Sequence, residues 1–200
     1  PKNKGKGRFR LENKFVFAKE IVKEAGDYIL SHMQEELNIE RKSSPTDLVT
    51  RLDKEVQNFL VDRIRSHYPD DQFCAEEGCL RASVGYGSVW VIDPIDGTNN
   101  FVAQGEDFAI MVAYFENGVG QFGIIYDVMK GHCYHGGGAF QACLNEELLP
   151  NFKDKPLRDF LIASNAGMLE TNAWGVAELA NASLGVRIYG SAAISFSKIL

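Results

Sequence analysis

An apolar segment of this sequence runs directly into two aspartates, and no other feature restricts the possible folds and functions of the chain as strongly. Residues 89–92 read Val-Trp-Val-Ile and form a predicted strand, which Asp93-Pro94-Ile95-Asp96-Gly97-Thr98 follows at once. A proline ring fixes φ and disfavours helix at the preceding residue, so we expect the chain to turn between Asp93 and Asp96. That turn can bring both carboxylates to one side, with the Ile95 carbonyl between them. Hard oxygen ligands of this kind suit Mg²⁺, which also accepts substrate phosphate oxygens as ligands.

The residues that follow predict a phosphate site beside this cation. Gly97-Thr98-Asn99-Asn100 can begin a short helix, whose first N–H groups have no partners within the helix and attract anions. Two more acidic pairs, Asp47/Asp53 and Glu76/Glu77, fall at the ends of predicted elements. Catalytic groups are commonly held at such positions, although a single acidic residue is more often a solvated surface group.

The hydrophobic periodicity predicts two helices and then a series of strands. Apolar residues at spacings of three and four predict helices over residues 11–34 and 52–67. Asn117-Gly118 is a strong hairpin signal between two of the strands. The predicted strands cover residues 72–75, 88–92, 108–115, 119–128 and 132–135. Beyond residue 156, strands at 160–163 and 185–189 alternate with helices at 173–184 and 192–200, which predicts a separate α/β unit.

These patterns divide the chain into three segments. Residues 1–10 combine lysines, arginines and glycines with no acidic residue, which predicts a disordered tail. Residues 11–150 form an α+β half that carries the acidic residues, and residues 151–200 begin an α/β half. The last helical pattern reaches Ile199 and Leu200 without a glycine, asparagine or proline stop, so we expect the natural protein to continue beyond it.

Composition argues against several classes of protein. The formal net charge of −6 disfavours a dedicated nucleic-acid binder and leaves only the basic tail as a segment suited to that role. No apolar run approaches the roughly 18–20 residues that cross a bilayer, and no secretory signal is visible. Cys74, Cys79, Cys133 and Cys143 show no C-x-x-C spacing. We therefore expect free thiols in a reducing cytoplasm rather than a zinc or disulfide framework.

Several motifs, in order along the chain, together resemble the inositol monophosphatase family. Trp90–Phe101, the preceding Glu76-Glu77 and the upstream segment Lys42–Asp53 are similar to that family's patterns. Gly136–Phe140 resembles its glycine-rich hairpin end, and Gly190–Ala193 resembles the start of its substrate-side helix. The resemblance spans residues 11–200 and implies an α/β (layered α+β) sugar-phosphatase fold with alternating αβαβα layers. Its C-terminal part is incomplete here, because the family's later Trp-Asp motif, which supplies another metal-binding aspartate, is missing.

The resemblance also implies an activity. Members of the family are phosphoric monoester hydrolases that act on small phosphorylated metabolites with two or three Mg²⁺ ions per site. The same resemblance implies a lithium-sensitive, cytoplasmic homodimer, and the composition disfavours membrane and nucleic-acid partners. The motifs do not distinguish inositol monophosphate from other sugar phosphates or from nucleotide phosphates.

Individual residues receive roles only through this resemblance. The expected Mg²⁺ ligands are Glu76, Asp93, Asp96 and the Ile95 carbonyl. The expected catalytic residues, which position and deprotonate the attacking water, are Thr98 and Asp53 together with Glu76. Phosphate is expected at the N–H groups of Gly97 and Thr98. The alcohol half of the substrate is expected at Asp96, Ser191 and Ala192, and Lys42 is expected to reach the site from a loop.

Three other functions are possible alternatives to a family phosphatase. Haloacid-dehalogenase-like phosphatases use D-x-D-G-T with a nucleophilic aspartate, but the spacing from Asp93 to Asp96 is one residue longer. A non-catalytic family member that serves as an interaction module is supported by the missing aspartate and the basic tail. Dinucleotide binding is poorly supported, because Gly85-Tyr86-Gly87 and Gly136-Gly137-Gly138 lack the G-x-G-x-x-G spacing.

Overall fold

A seven-stranded sheet is the main layer of the protein, whose computed structural model describes residues 3–45 and 47–199. Two long helices cover one face of the sheet, and a short helix near the end of the chain contacts the other face. A two-stranded hairpin and a two-stranded parallel sheet complete the fold. Four residues lie outside the described ranges. They are Pro1 and Lys2 of the predicted tail, Thr46 of the upstream motif and Leu200 of the last predicted helix.

The elements follow one another as helices and strands of very different length. In chain order they are α1 (Asn3–His32), β1 (Glu40–Arg41), β2 (Leu48–Val49), α2 (Arg51–His67), β3 (Gln72–Ala75), β4 (Ser88–Asp96), α3 (Thr98–Gln104), β5 (Ala109–Glu116), β6 (Val119–Asp127), β7 (His132–Gly137), β8 (Phe140–Leu144), β9 (Glu147–Leu148), β10 (Leu161–Ala163), α4 (Ala166–Glu170), α5 (Val176–Ala182), β11 (Gly185–Arg187) and α6 (Ala192–Ser197). Short 3₁₀ turns cover Leu157–Asp159 and Ala173–Gly175.

The strand order of the large sheet follows the chain from β3 to β9. β3 and β4 are parallel, and every later neighbouring pair is antiparallel. Asn117 and Gly118 join β5 to β6 as predicted, and their φ angles of 49° and 83° are those of a type I′ turn. The separate pair β10–β11 is parallel. The mixed α/β class predicted from the sequence is therefore confirmed.

The two faces of the sheet carry different partners because successive side chains of a strand point to opposite sides. Ile110 and Val112 of β5 belong to the main core, which the apolar stripes of α1 and α2 complete. Ala109 and Met111, which alternate with them along β5, belong to or pack against a second, smaller cluster that includes Ala193 and Ile194 of α6. The main core thus lies under α1 and α2, and α6 approaches the face of β5 that carries Ala109.

A buried lysine ties α1 to the sheet. Lys14 is 0 % exposed, and its ammonium pairs with Asp71 and donates a 2.7 Å hydrogen bond to the Tyr114 hydroxyl. Trp90 Nε1 donates to the same Asp71 carboxylate at 2.8 Å. The ammonium also lies 4.1 Å from the centroid of the Tyr114 ring and 4.9 Å from that of Tyr68, within cation–π distance. Burial lowers the pKa of Lys14, and the hydrogen bond and charge of Asp71 oppose that shift.

The structure corrects the predicted N-terminal boundary. The sequence predicted a disordered tail over residues 1–10 and a helix from residue 11, whereas α1 begins at Asn3. Extending an existing helix costs much less than nucleating one, and lysine and arginine are good helix formers, so the two glycines do not stop it. Arg8 also donates to Glu12 one turn later at 3.0 Å. The division of the remainder at residue 150 stays a prediction.

Most predicted elements are found within a few residues of their predicted bounds. The exceptions are β1, β2, β8, β9 and α4, which were not predicted, and the helix predicted at 173–184, which is a 3₁₀ turn followed by α5. β4 also continues through both aspartates instead of ending before them. The four cysteines are free thiols, as predicted. No helix within residues 3–45 and 47–199 has both the length and the hydrophobicity to cross a membrane.

Replacing Lys14 with methionine should lower the free energy of unfolding by about 3–5 kcal/mol, because the buried Asp71 carboxylate loses its buried charge partner and keeps only the largely exposed Arg10, 3.8 Å away. Urea denaturation measures this loss. The double variant Lys14→Met/Asp71→Asn should recover part of it, because neither charge is then left alone. Lys19→Met is the control on the same helix. The Lys19 ammonium lies 3.9 Å from the Glu146 carboxylate, which is 82 % exposed, so the loss of this ion pair should lower the free energy of unfolding by less than about 1 kcal/mol. A Lys14→Met protein as stable as wild type would contradict the structural role of the buried pair.

Candidate active site

A β-bulge places the two aspartates of the predicted cation site on the same face of β4. Asp93 lies opposite Met111 and Asp96 lies opposite Ala109, so three steps on β4 match two steps on β5. Residues that are directly paired across two strands point to the same face of the sheet, and so do residues two apart on one strand, such as Ala109 and Met111 of β5. Asp93 and Asp96 therefore point to the same face. Without the extra residue, Asp93 and Asp96 would point to opposite sides, because their spacing is odd. The bulge includes Pro94. Proline has no backbone N–H to donate to a neighbouring strand, so it is tolerated at a bulge, where the regular hydrogen bonding is interrupted.

The end of β3 brings Glu76 to Asp93. β3 is parallel to β4, and the Glu76 amide donates to the Ile92 carbonyl at 3.2 Å, which places the two residues at the same end of the sheet. The Glu76 carboxylate lies close enough to Asp93 for its charge to raise the pKa of the Asp93 carboxyl group. The adjacent Glu77 is buried and is fixed through its backbone, since its N–H donates to Gln57 Oε1 at 2.7 Å and its carbonyl accepts from Gln57 Nε2 at 2.8 Å.

The loop between β1 and β2 supplies a positive charge to these glutamates. Lys42 Nζ donates to Glu76 Oε1 at 2.8 Å and also pairs with Glu77. Burial lowers the pKa of Lys42, but the hydrogen bonds and charges of both glutamates outweigh burial and raise it overall. The loop itself is closed by Asp47, whose carboxylate accepts a 3.1 Å hydrogen bond from the Ser43 amide. Lys42 is therefore a fixed ammonium at the site.

Asp93 is the carboxyl group with the most strongly perturbed pKa among these residues. Burial raises the pKa of Asp93 to about 8, and the charges of Glu76, Asp96 and Asp53 add to the shift. Asp93 Oδ1 is buried and has no hydrogen-bond partner in the described part of the chain. A buried oxygen without a donor is costly unless a proton or a cation compensates it.

Asp53 lies at the start of α2, where a capping box with Thr50 holds one of its carboxylate oxygens and Thr98 holds the other. Oδ2 accepts hydrogen bonds from Thr50 N at 2.8 Å and from Thr50 Oγ1 at 2.6 Å. Oδ1 accepts from Thr98 Oγ1 at 3.2 Å, and the same hydroxyl lies 3.0 Å from the Ile95 carbonyl. Asp53 is 0 % exposed, and burial raises its pKa against the opposing hydrogen bonds from Thr50 and Thr98.

Asp96 connects this site to α6. The Asp96 Oδ2 atom accepts hydrogen bonds from Ser191 Oγ and, at 2.8 Å, from Ala193 N. Ser191 is also the N-cap of α6, because its Oγ accepts from Ile194 N at 3.0 Å. Gly97 has a φ of 91°, and a Cβ at this position would lie 2.9 Å from Ser191 Cβ. Only glycine lets the loop after Asp96 approach α6 this closely.

The side chains at this site fit a hard divalent cation, although they do not yet form a closed ligand set. Within the described ranges, no group of three or more His, Cys, Asp or Glu side chains is arranged to hold a metal. The Lys42 ammonium beside Glu76 and a proton on Asp93, whose pKa is raised to about 8, supply the compensation that a cation would otherwise give. The donor set is all oxygen, and Asp93 Oδ1 has no donor, which are the features expected of a Mg²⁺ site.

The structure brings together most of the residues predicted from the sequence. Glu76, Asp93, Asp96, Asp53 and Thr98 interact with one another, and Lys42 reaches Glu76. The Ser191 hydroxyl was predicted to contact substrate, but it donates a hydrogen bond to Asp96 and accepts one from the Ile194 amide as the N-cap of α6. The exposed Ala192 has no such constraint.

Sequence reasoning missed Thr50, Gln57 and Asn100. The spacing of Thr50 and Asp53 is that of a capping box and was the available signal. Gln57 and Asn100 act through partners far along the chain, so no local pattern identifies them.

Comparisons with known proteins agree on the relationships of the chain. The sequence pattern of the "Inositol monophosphatase family" matches residues 10–199. The inositol-1-monophosphatase of Bacillus subtilis (strain 168) is 41 % identical over 187 residues, which cover 91 % of this chain and 71 % of that protein. The crystal structure of Staphylococcal IMPase-II superposes with a TM-score of 0.82 at 36 % identity, over 94 % of this chain and 69 % of that one. A structure of an IMPase/NADP phosphatase complexed with Mg²⁺ and phosphate superposes with a TM-score of 0.85 at 28 % identity, over 95 % of this chain and 72 % of that one.

The α/β fold and the acidic site thus define a phosphatase of the phosphomonoester hydrolase class. The chain belongs to the inositol monophosphatase family. It spans roughly 70 % of the length of these relatives.

The raised pKa of Asp93 predicts a pH-dependent stability in the metal-free protein. An aspartate in an unfolded chain titrates near 3.9, so between about pH 4 and pH 8 the folded state binds the proton that the unfolded state has lost. Stability therefore falls as the pH rises through this window, by up to about 1.4 kcal/mol per pH unit.

Urea denaturation in EDTA from pH 5 to pH 8.5 measures the slope. Asp93→Asn, which imitates the protonated carboxyl, should be less steep than wild type. Asp62→Asn, at an exposed position of α2, should keep the wild-type slope. Equal slopes for all three proteins would contradict a proton held at Asp93.

Proposed function

We propose that this protein is a Mg²⁺-dependent phosphomonoesterase that hydrolyses inositol monophosphate or a similar sugar or nucleotide phosphate by direct attack of water. The observation that carries the proposal is the meeting of Glu76, Asp93 and Asp96 beside the paired Asp53 and Thr98. Related structures support the substrate class: Staphylococcal IMPase-II has been crystallised with inositol monophosphate and with 2′AMP. A relative from Thermotoga maritima is a fructose-1,6-bisphosphatase/inositol-1-monophosphatase.

The proposed ligands of the cations are the carboxylates of Glu76, Asp93 and Asp96 with the Ile95 carbonyl. Mg²⁺, when bound, lowers the pKa of a coordinated water and neutralises charge on the phosphoryl oxygens. Lys42 now neutralises Glu76, so its ammonium is the group that a cation at Glu76 has to replace. Two or three ions per site remain part of the proposal.

Thr98 and Asp53 are the proposed acceptors of the proton from the attacking water. The Thr98 hydroxyl can donate to Asp53 Oδ1, which leaves its lone pairs free to accept a hydrogen bond from water. Water forms the new bond to phosphorus, its proton passes toward Asp53, the bond from phosphorus to the alcohol oxygen breaks, and the departing oxygen takes up a proton from solvent. Burial makes Asp53 a stronger base than a solvated aspartate, which favours this transfer.

The beginning of α3 is the proposed phosphate cradle. The N–H groups of Gly97 and Thr98 belong to the Ncap and first turn of this helix, where backbone donors have no partner within the helix. The alcohol half of the substrate would then lie toward Ala192 and the N-terminus of α6, with Ser191 and Asp96 behind it. Lithium inhibition and a homodimer are predictions that come with the same proposal.

Replacing Asp96 with asparagine should reduce Mg²⁺-dependent phosphate release by far more than tenfold, because a metal-binding carboxylate is lost with little change in volume. A tenfold loss corresponds to only about 1.4 kcal/mol of barrier. The measurement is phosphate release by the full-length protein at saturating Mg²⁺, with inositol monophosphate, sugar monophosphates and 2′AMP as substrates. Asp62→Asn, exposed on α2, serves as the control that keeps wild-type turnover.

The outcomes separate the proposal from its rivals. Retention of more than a tenth of wild-type turnover by Asp96→Asn would overturn the assignment of Asp96. A covalent phosphoaspartyl enzyme, trapped by hydroxylamine, would favour a nucleophilic aspartate instead. A wild-type protein that neither binds Mg²⁺ nor releases phosphate would favour a non-catalytic interaction module.

A further inference from the structure

One side chain outside the proposed ligand set joins the metal-binding loop to α6. Asn100, in α3, donates both of its Nδ2 hydrogen bonds to backbone carbonyls, one to Asp107 at 2.8 Å and one to Tyr189 at 2.7 Å. The Tyr189 carbonyl lies 89 positions further along the chain, two residues before the N-cap Ser191 of α6. A carboxamide that uses both N–H groups on two separate segments fixes their relative positions.

The neighbouring backbone is shaped to admit this side chain. Gly190 has a φ of 70°, and a Cβ at this position would lie 2.7 Å from Asn100 Oδ1. Gly97 makes a similar close approach to Ser191 from the other side of the contact. Two glycines with positive φ therefore let the start of α3 and the start of α6 come together, and Asn100 lies between them.

The second acceptor of Asn100 is itself held in place. Asp107 has a positive φ of 53°, which is a strained conformation for a residue other than glycine. Its carboxylate lies 3.3 Å from Lys130 Nζ, and Lys130 also pairs at 2.9 Å with Asp127, which is 2 % exposed. The turn between β6 and β7 thus anchors the Asp107 backbone that Asn100 contacts. Asn100 transmits this rigidity to the segment before α6.

The position of α6 matters because α6 holds Asp96. Ser191 Oγ and Ala193 N both donate to Asp96 Oδ2, so the orientation of the Asp96 carboxylate depends on where α6 begins. With Oδ2 engaged by these two donors, Oδ1 is the oxygen that a cation would use. A shift of α6 would rotate or release this carboxylate.

We propose that Asn100 is a positioning residue that holds the N-terminus of α6 against the metal-binding loop and thereby orients the Asp96 carboxylate for a divalent cation. The proposal rests on the proposed function for its catalytic consequence, whereas its effect on α6 is independent of activity. Residues that orient a metal ligand typically change metal affinity by roughly 10–100-fold when they are removed.

The test compares Asn100→Ala with Gln104→Ala. Gln104 is an exposed carboxamide at the end of the same helix, so its replacement removes an amide without touching α6. Hydrogen exchange of the metal-free proteins reports on residues 191–197. Calorimetric titration with Mg²⁺ gives the dissociation constant of the cation, and phosphate release gives kcat and KM.

Asn100→Ala should exchange faster than Gln104→Ala at residues 191–197 and should bind Mg²⁺ about tenfold more weakly. It should also need correspondingly more Mg²⁺ for half-maximal turnover, while KM for the phosphate substrate at saturating Mg²⁺ changes little. A purely structural role would lower the melting temperature and leave the Mg²⁺ dissociation constant of the folded protein unchanged.

Either of two results would overturn the inference: equal exchange in the two variants, or faster exchange with an unchanged Mg²⁺ dissociation constant. Failure of the proposed function is a different result. A wild-type protein that binds Mg²⁺ but releases no phosphate would overturn the proposed hydrolysis, while exchange and calorimetry would still decide the role of Asn100.

Discussion

The carboxylates of Glu76, Asp96 and Asp53 lie near enough to the partly buried Asp93, close to the end of β4, for their charges to raise its pKa, and like charges this close cannot all remain ionised without compensation. The structure compensates them in several ways at once. Asp93 has a pKa raised to about 8, and the Lys42 ammonium pairs with Glu76. Asp96 accepts hydrogen bonds from the start of α6, and Asp53 accepts them from its own capping box. The fold is arranged to keep these groups together despite their mutual repulsion.

The rest of the architecture can be understood from this requirement. The parallel pairing of β3 with β4 brings Glu76 to Asp93, and the bulge in β4 turns Asp96 to the same side. α1 and α2 cover the opposite face of the sheet, where the buried Lys14–Asp71 pair fixes α1. α6 lies on the face of the sheet that carries the carboxylates, and its first residues donate hydrogen bonds to Asp96. Each element that approaches the site thus supplies a ligand, a donor or a positive charge.

The sequence predicted the parts of this arrangement that are local. The strand before Asp93, the short helix after Gly97 and the turn at Asn117 depend on neighbouring residues, and each is found where its pattern indicated. The bulge was expected as a turn, because Pro94 reports that the chain departs from regular geometry without specifying how. Contacts that join distant segments have no local signature. Lys14 reads as an ordinary charged residue of α1, and its burial depends on Asp71, 57 positions away.

Binding of a divalent cation at this site should displace the proton from Asp93, and calorimetric titration with Mg²⁺ at pH 7 measures this exchange. Titrations in two buffers of different ionisation enthalpy report how many protons leave the protein on binding. Because the pKa of Asp93 is about 8, the Asp93 carboxyl group is mostly protonated at this pH in the metal-free protein. The account predicts saturable binding of Mg²⁺ with release of close to one proton, and Asp93→Asn should abolish that release. Mg²⁺ binding with no proton released, or no binding at all, would contradict it.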